Sequence, residues 1–195
     1  MPHVQVADVG ASVERALDLN GSELMHGKGD DGKSQWAVLL DPSGAAFGII
    51  PVVSAEACPP TEGVASGETA ARVGCISWID LTVSDAPATR DFYRQVVGWS
   101  VEEVEMGDAG ERYADYTMSG DDGCPAAGVR HARGVNLDLP PVWMISLPVG
   151  DLAESLRRVG EGGGRVIKAT RGTDGQYAYA AVQDPVGACL ALVSG

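Results

Sequence analysis

Asp80 is the residue whose setting most invites chemistry. It lies in Trp78-Ile79-Asp80-Leu81-Thr82, a strand-like run whose alternation puts Trp78, Asp80 and Thr82 on one face. A carboxylate inside a sheet needs a partner, because burying it alone is costly. Two roles are open to it: an anchor to a neighbouring strand or arginine, or a pocket carboxylate of raised pKa serving as base or binding group. His131 and Arg133, in His131-Ala132-Arg133-Gly134, come next. His131 could serve as general acid or base, and Arg133 could grip a carboxylate or phenolate. Their plainer role is a solvated connection. Trp78 and Trp143 offer faces for stacking on an aromatic ligand, although core packing is the commoner fate of a strand tryptophan. Tyr113, Tyr116 and Tyr179 are amphipathic wall residues on either view.

Other clusters carry less. Glu161-Gly162-Gly163-Gly164-Arg165 is glycine-rich but follows a helix and precedes a strand, the reverse of a phosphate cradle. Glu103 and Glu105 share a strand face while Glu102 points the other way, which suits a solvated face better than a metal cluster. Asp30-Asp31 and Asp121-Asp122 read as turns. His3 and His26 are incidental, and no Ser-His-Asp set can be drawn locally.

The elements that must position these residues follow from pattern. Ile76 to Val83 predicts a strand, and Asp85 opens a helix through Val97 in which Phe92 with Val96, and Tyr93 with Val97, form buried pairs four apart. Gly98 ends it, and Val101 to Glu105, Arg112 to Met118 and Ala126 to His131 predict three strands. Residues 1–53 predict a strand (Val4, Val6), a helix from Asp8 or Ser12 stopped at Asn20-Gly21, a strand over Gln35 to Leu40, a turn at Asp41-Pro42-Ser43-Gly44 and a last strand from Ala45. Residues 141–195 repeat that plan without a gap at an offset of 143 positions. Asp8 meets Asp151, Gly21 meets Gly164, and Asp41-Pro42-x-Gly44-Ala45 meets Asp184-Pro185-x-Gly187-Ala188. Glycines and turns where backbone geometry is demanding make a shared fold the better explanation than chance. Residues 54–73 predict a linker.

With 195 residues the chain can bury one sizeable core. The net charge of −13 argues against a phosphate-binding surface, and no apolar run approaches the roughly 18 residues that span a bilayer. Cys58, Cys75, Cys124 and Cys189 show no metal or disulfide spacing. A reduced, cytoplasmic protein with neither nucleic-acid nor membrane partners is expected.

Three β-α-β-β-β units in order, with SWIDLTVSD followed by RDFYRQVVGW, GVRHARG before LPPVW, and two Asp-Pro-x-Gly-Ala endings, resemble the vicinal oxygen chelate superfamily of glyoxalases, bleomycin-resistance proteins and extradiol dioxygenases. The resemblance implies an α+β fold in which residues 74–131 and 141–195 form one cupped domain, 74–195. It makes 1–53 an orphan unit of second-half type, either genuine or the remnant of a longer chain. That unit would expose an apolar face and an unpaired edge, so it is expected to pair with the same unit of another chain, as a homodimer, or to pack on 74–195.

The resemblance also implies metal donors at positions that here hold Trp78, Met144 and Ala191, with Gly48 in the first unit. None supplies oxygen or imidazole, and His131 alone cannot hold a divalent ion. The expectation is a metal-free, cofactor-free cup that binds a small aromatic or polycyclic molecule, as bleomycin-resistance proteins do by sequestration. Its candidate site is Asp80 and His131 as catalytic groups, with Trp78, Tyr116, Arg133, Trp143, Met144 and Tyr179 binding ligand. The alternatives are a lyase or oxygenase-like tailoring enzyme of the same fold, possibly metal-dependent, and a structural protein whose cup is filled by side chains. Whether any reaction is catalysed is left open.

Overall fold

A computed structural model describes residues 1–54, 73–108 and 110–195. The expected linker falls almost wholly outside these residues, as does Cys58. Three units of one strand, one helix and three strands follow one another. The first is β1 (His3–Val6), α1 (Val9–Asp18), β2 (Ser22–Lys28), β3 (Ser34–Leu40) and β4 (Ala46–Pro51). The second is β5 (Trp78–Val83), α2 (Ala86–Val97), β6 (Ser100–Asp108), β7 (Glu111–Ser119) and β8 (Pro125–His131). The third is β9 (Trp143–Val149), α3 (Leu152–Glu161), β10 (Arg165–Arg171), β11 (Tyr177–Gln183) and β12 (Cys189–Ser194). The fold is α+β, and no helix among the described residues is long and apolar enough to cross a membrane.

Local chemistry explains why the units match. Each helix is opened by an aspartate whose carboxylate accepts a backbone N–H three residues on: Asp8 from Ala11 at 3.0 Å, Asp85 from Ala88 at 3.0 Å and Asp151 from Glu154 at 2.9 Å. Gly98 closes α2 in the left-handed region at φ 81°. Both Asp-Pro turns are held by one carboxylate oxygen. Asp41 Oδ1 accepts from the Ser43 and Ala45 amides, and Asp184 Oδ1 from those of Val186 and Ala188. Gly44 and Gly187 take φ of 88° and 99°, which glycine adopts without strain.

In each unit the first strand pairs in parallel with the last, giving the order first, last, third, second. The second and third units then join through antiparallel β5 and β9 into one eight-stranded sheet, β10-β11-β12-β9-β5-β8-β7-β6. The first unit keeps its own four-stranded sheet, β1-β4-β3-β2, and packs its helix side against α2. Phe47 on β4 meets Phe92 and Tyr93 on α2 edge to face, with centroids 5.9 and 5.1 Å apart. Leu39, Phe47 and Ile49 are fully buried in the core that the first unit shares with the second. Burying side chains of this size contributes about 1.5–3 kcal/mol each, so apolar packing dominates the docking. Of the two arrangements expected for residues 1–53, packing on 74–195 is present. The opposite face of its sheet stays open among the described residues, with Met25 58% and Trp36 39% exposed.

A buried polar chain ties all three units. Trp143 Nε1 donates to the Tyr93 hydroxyl at 2.9 Å, and that hydroxyl donates to Asp41 Oδ2 at 3.1 Å. Burial above all, then the Asp41 charge, pushes the Tyr93 phenol well up, so it stays protonated and keeps its donor.

Candidate functional site

The concave face of the eight-stranded sheet takes alternate residues from each strand. One row crosses it: Thr117 pairs with Gly128, Gly128 with Asp80, and Asp80 with Met144. A second row runs Trp78, Ser146, Ala191.

Asp80 sits at the centre, its side chain 15% exposed. Its Oδ1 accepts from Trp78 Nε1 at 2.9 Å and from Arg130 Nε at 2.8 Å. Among the described residues Oδ2 accepts no hydrogen bond. Since no buried side-chain oxygen there lacks a partner, Oδ2 reaches open space. Gly128 makes this arrangement possible, for a Cβ at that position would stand 2.2 Å from Asp80 Oδ1. Beside the triad, Trp78, Val104, Met106, Asp115, Thr117 and Arg130 line an open cavity of about 210 Å³.

Burial pushes the Asp80 carboxyl above its ordinary value, opposed first by the Arg130 charge and then by the hydrogen bonds from Trp78 and Arg130. The folded chain therefore holds this proton more tightly than the unfolded one. Stability drawn from Asp80 is greatest at acid pH and falls as pH rises from the unfolded value, about 3.9, through the raised one. Asp80→Asn should remove that decline. Urea midpoints at about pH 4 and 7 should show the variant gaining on the wild type as pH rises, and a constant difference would contradict the raised carboxyl.

The other expected site residues divide. Tyr179 lies near enough to feel the Asp80 and Arg130 charges, and its phenol is pushed up by burial first and by Asp80 second. Met144 faces the cup but is 2% exposed. The connection between the second and third units, which includes a short 3-10 helix at Gly134–Asn136, drops Leu139 into one cluster with Met144, Ala181 and Tyr179. Access to Met144 is thus corrected: it lies under Leu139. Two further expectations are corrected by strand parity. Trp143 precedes inward-facing Met144 and so points to the helix side, packed against Tyr93 at 5.2 Å. Tyr116 borders the cavity at its strand position, but its ring lies on the helix side under the Arg90 guanidinium, 4.6 Å away. His131 is engaged by Asp115, whose Oδ1 lies 3.1 Å from its Nδ1 and accepts its backbone N–H at 2.9 Å. Arg133 stacks over Tyr113 at 4.4 Å and pairs with Glu111 at 3.0 Å. Arg130, which bonds Asp80 and lines the cavity, is the side chain that a search by residue type passes over. The signal was available: in Gly128-Val129-Arg130 the alternation that turns Gly128 inward turns Arg130 inward too.

The donor set does not suit a divalent ion. Trp78, Met144 and Ala191 offer no oxygen or imidazole, and among the described residues no three His, Cys, Asp or Glu side chains converge. The central carboxylate is already bonded to a fixed cation, which would repel a second one.

Residues 75–192 match the family model of the Glyoxalase/Bleomycin resistance protein/Dioxygenase superfamily. The putative glyoxylase CFP32 of Mycobacterium tuberculosis (strain CDC 1551 / Oshkosh) is 28% identical over 123 residues, 62% of this chain and 46% of that protein. The anthracycline biosynthesis protein DnrV of Streptomyces peucetius is 27% identical over 187 residues, 95% of this chain and 62% of that protein. The chain thus spans roughly half the length of the curated relatives it matches. Among solved structures, a variant of homoprotocatechuate 2,3-dioxygenase from B. fuscum aligns with TM-score 0.54 at 15% identity, covering 100% of this chain and 54% of that one. A 4-hydroxymandelate synthase mutant from Streptomyces coelicolor aligns with TM-score 0.51 at 12% identity, covering 98% and 69%. At such identities these two speak for the fold alone. Three capped repeats, a shared eight-stranded cup and a family match across most of that cup converge on one assignment: the chain belongs to the glyoxalase/bleomycin resistance protein/dioxygenase superfamily.

Proposed function

We propose that the cup binds a small aromatic organic molecule without a metal ion. The observation that carries this is the cavity beside Trp78 and Arg130, which are both fixed on Asp80 where a chelating member of the family would need metal donors. An aromatic wall, apolar lining at Val104 and Met106, and a few convergent polar groups are the usual make-up of an organic-ligand site. Relatives named for anthracycline biosynthesis support a planar, polycyclic ligand. Titration with planar aromatics of two to four fused rings should give one-to-one binding that EDTA leaves unchanged, and Trp78→Ala should weaken it about ten-fold. A stoichiometric transition metal in the purified protein, or binding abolished by EDTA, would overturn the metal-free reading.

One observation favours a second reading. Asp80 combines a raised pKa with an unengaged Oδ2, the equipment of a general base. On that reading the chain turns over its ligand, and Asp80→Asn abolishes product formation while ligand still binds.

A further inference from the structure

We infer that the cup selects an uncharged aromatic molecule bearing a carbonyl oxygen, which accepts from the terminal nitrogens of Arg130, and that Asp80 is the positioning residue that aims them. This rests on the small-molecule reading above and narrows it to a ligand class.

A guanidinium carries five N–H donors in a planar fork. In Arg130 only Nε is engaged among the described residues, by Asp80 Oδ1 at 2.8 Å. Both terminal nitrogens are unused, the side chain is 41% exposed, and the residue lines the cavity. Trp78 lines the same cavity and donates its indole N–H to the same oxygen. Two donors converging on one oxygen fix the indole and the guanidinium relative to each other, so a ring laid along Trp78 presents its substituents to the fork at a set distance. Val104, Met106 and Thr117 supply lining that favours a flat, largely apolar body.

Charge decides which acceptor fits. Asp80 already neutralises Arg130, and Asp115, itself buried, adds a second carboxylate at the cavity wall. An anion entering here gains one spoken-for cation and meets two negative neighbours. A neutral carbonyl satisfies the free donors without that penalty, and a hydrocarbon that displaces water from them leaves them unsatisfied.

Three probes of matched shape separate these cases: 2-acetylnaphthalene, 2-ethylnaphthalene and 2-naphthoate, titrated calorimetrically into the full chain. The ketone should bind about ten-fold tighter than the ethyl compound, as expected for a hydrogen bond to a charged donor, and the naphthoate no tighter than the ethyl compound. Arg130→Met, which keeps the aliphatic stem, should level ketone and ethyl compound while leaving the latter nearly unchanged. Asp80→Asn, with unchanged circular dichroism, should erase most of the preference. In the wild type the preference should also fade as acid protonates Asp80, a dependence absent from the variant. Equal binding of ketone and ethyl compound by the wild type, or naphthoate binding tightest, overturns the ligand class while the small-molecule reading stands. Asp80→Asn retaining the full preference overturns the positioning role. A wild type that binds none of the three ends the broader reading, and this inference with it.

Discussion

Tyr93→Phe should lower the stability of the folded chain by about 2–4 kcal/mol, a large effect for one hydroxyl. Tyr93 is fully buried, and its oxygen stands between Trp143 Nε1 and Asp41 Oδ2. Removing it strands a donor and an acceptor at once, each at a desolvation cost of about 1–3 kcal/mol. Asp41 Oδ1 keeps its bonds to the Ser43 amide and hydroxyl and to the Ala45 amide, so the turn should survive and the loss should fall on the contact between units. The ring packing against Phe47, Phe92 and Trp143 is untouched by this substitution, which isolates the polar contribution. Urea unfolding gives the value, and a cycle with Trp143→Phe should be non-additive by about 1 kcal/mol. A loss below about 0.5 kcal/mol, the scale of a surface substitution, would show that the three-unit link contributes nothing.

Gly128→Ala should cost the cup its ligand, weakening binding about ten- to hundred-fold. In an ordinary strand the exchange would be mildly stabilising, since glycine there costs about 0.5–1 kcal/mol relative to alanine. Here the added carbon would stand 2.2 Å from Asp80 Oδ1 and 3.2 Å from Trp78 Nε1. The aspartate is short and held by two donors, so the carboxylate must move and both bonds must break. That loss outweighs the backbone gain. Gly107→Ala is the control on the same sheet, because its nearest neighbour to an added Cβ is 3.8 Å away. Wild-type affinity in Gly128→Ala would mean that the clustering around Asp80 has no bearing on binding.

What could be seen in the sequence was what depends on neighbours along the chain. Asp8, Asp85 and Asp151 cap their helices through amides three residues on, and Asp41 and Asp184 fold their turns onto amides two and four residues on. Such chemistry leaves its mark in residue type at fixed spacing, so the three units and their order were legible. Asp80 was legible as a carboxylate needing a partner, and Trp78 as its neighbour on the face. Trp143 and Met144 could not both face the cup, since adjacent strand residues point apart. Choosing His131 by residue type passed over Arg130 for the same reason. The meeting of Phe47 with Phe92, and the gathering of Leu139 into one cluster with Ala181, join segments far apart in the chain. No local pattern announces such contacts.

Leu139 has one more implication. The sheet beneath it is built from paired strands that tolerate little change, yet the connection carrying it crosses from one repeat to the next without belonging to either ladder. Leu139 and Val142, both carried by it, pack with Met144 and Ala181 at one end of the bowl. Descendants of this chain could therefore trade one guest for a bulkier one by editing a handful of residues in that strap, leaving every strand in place.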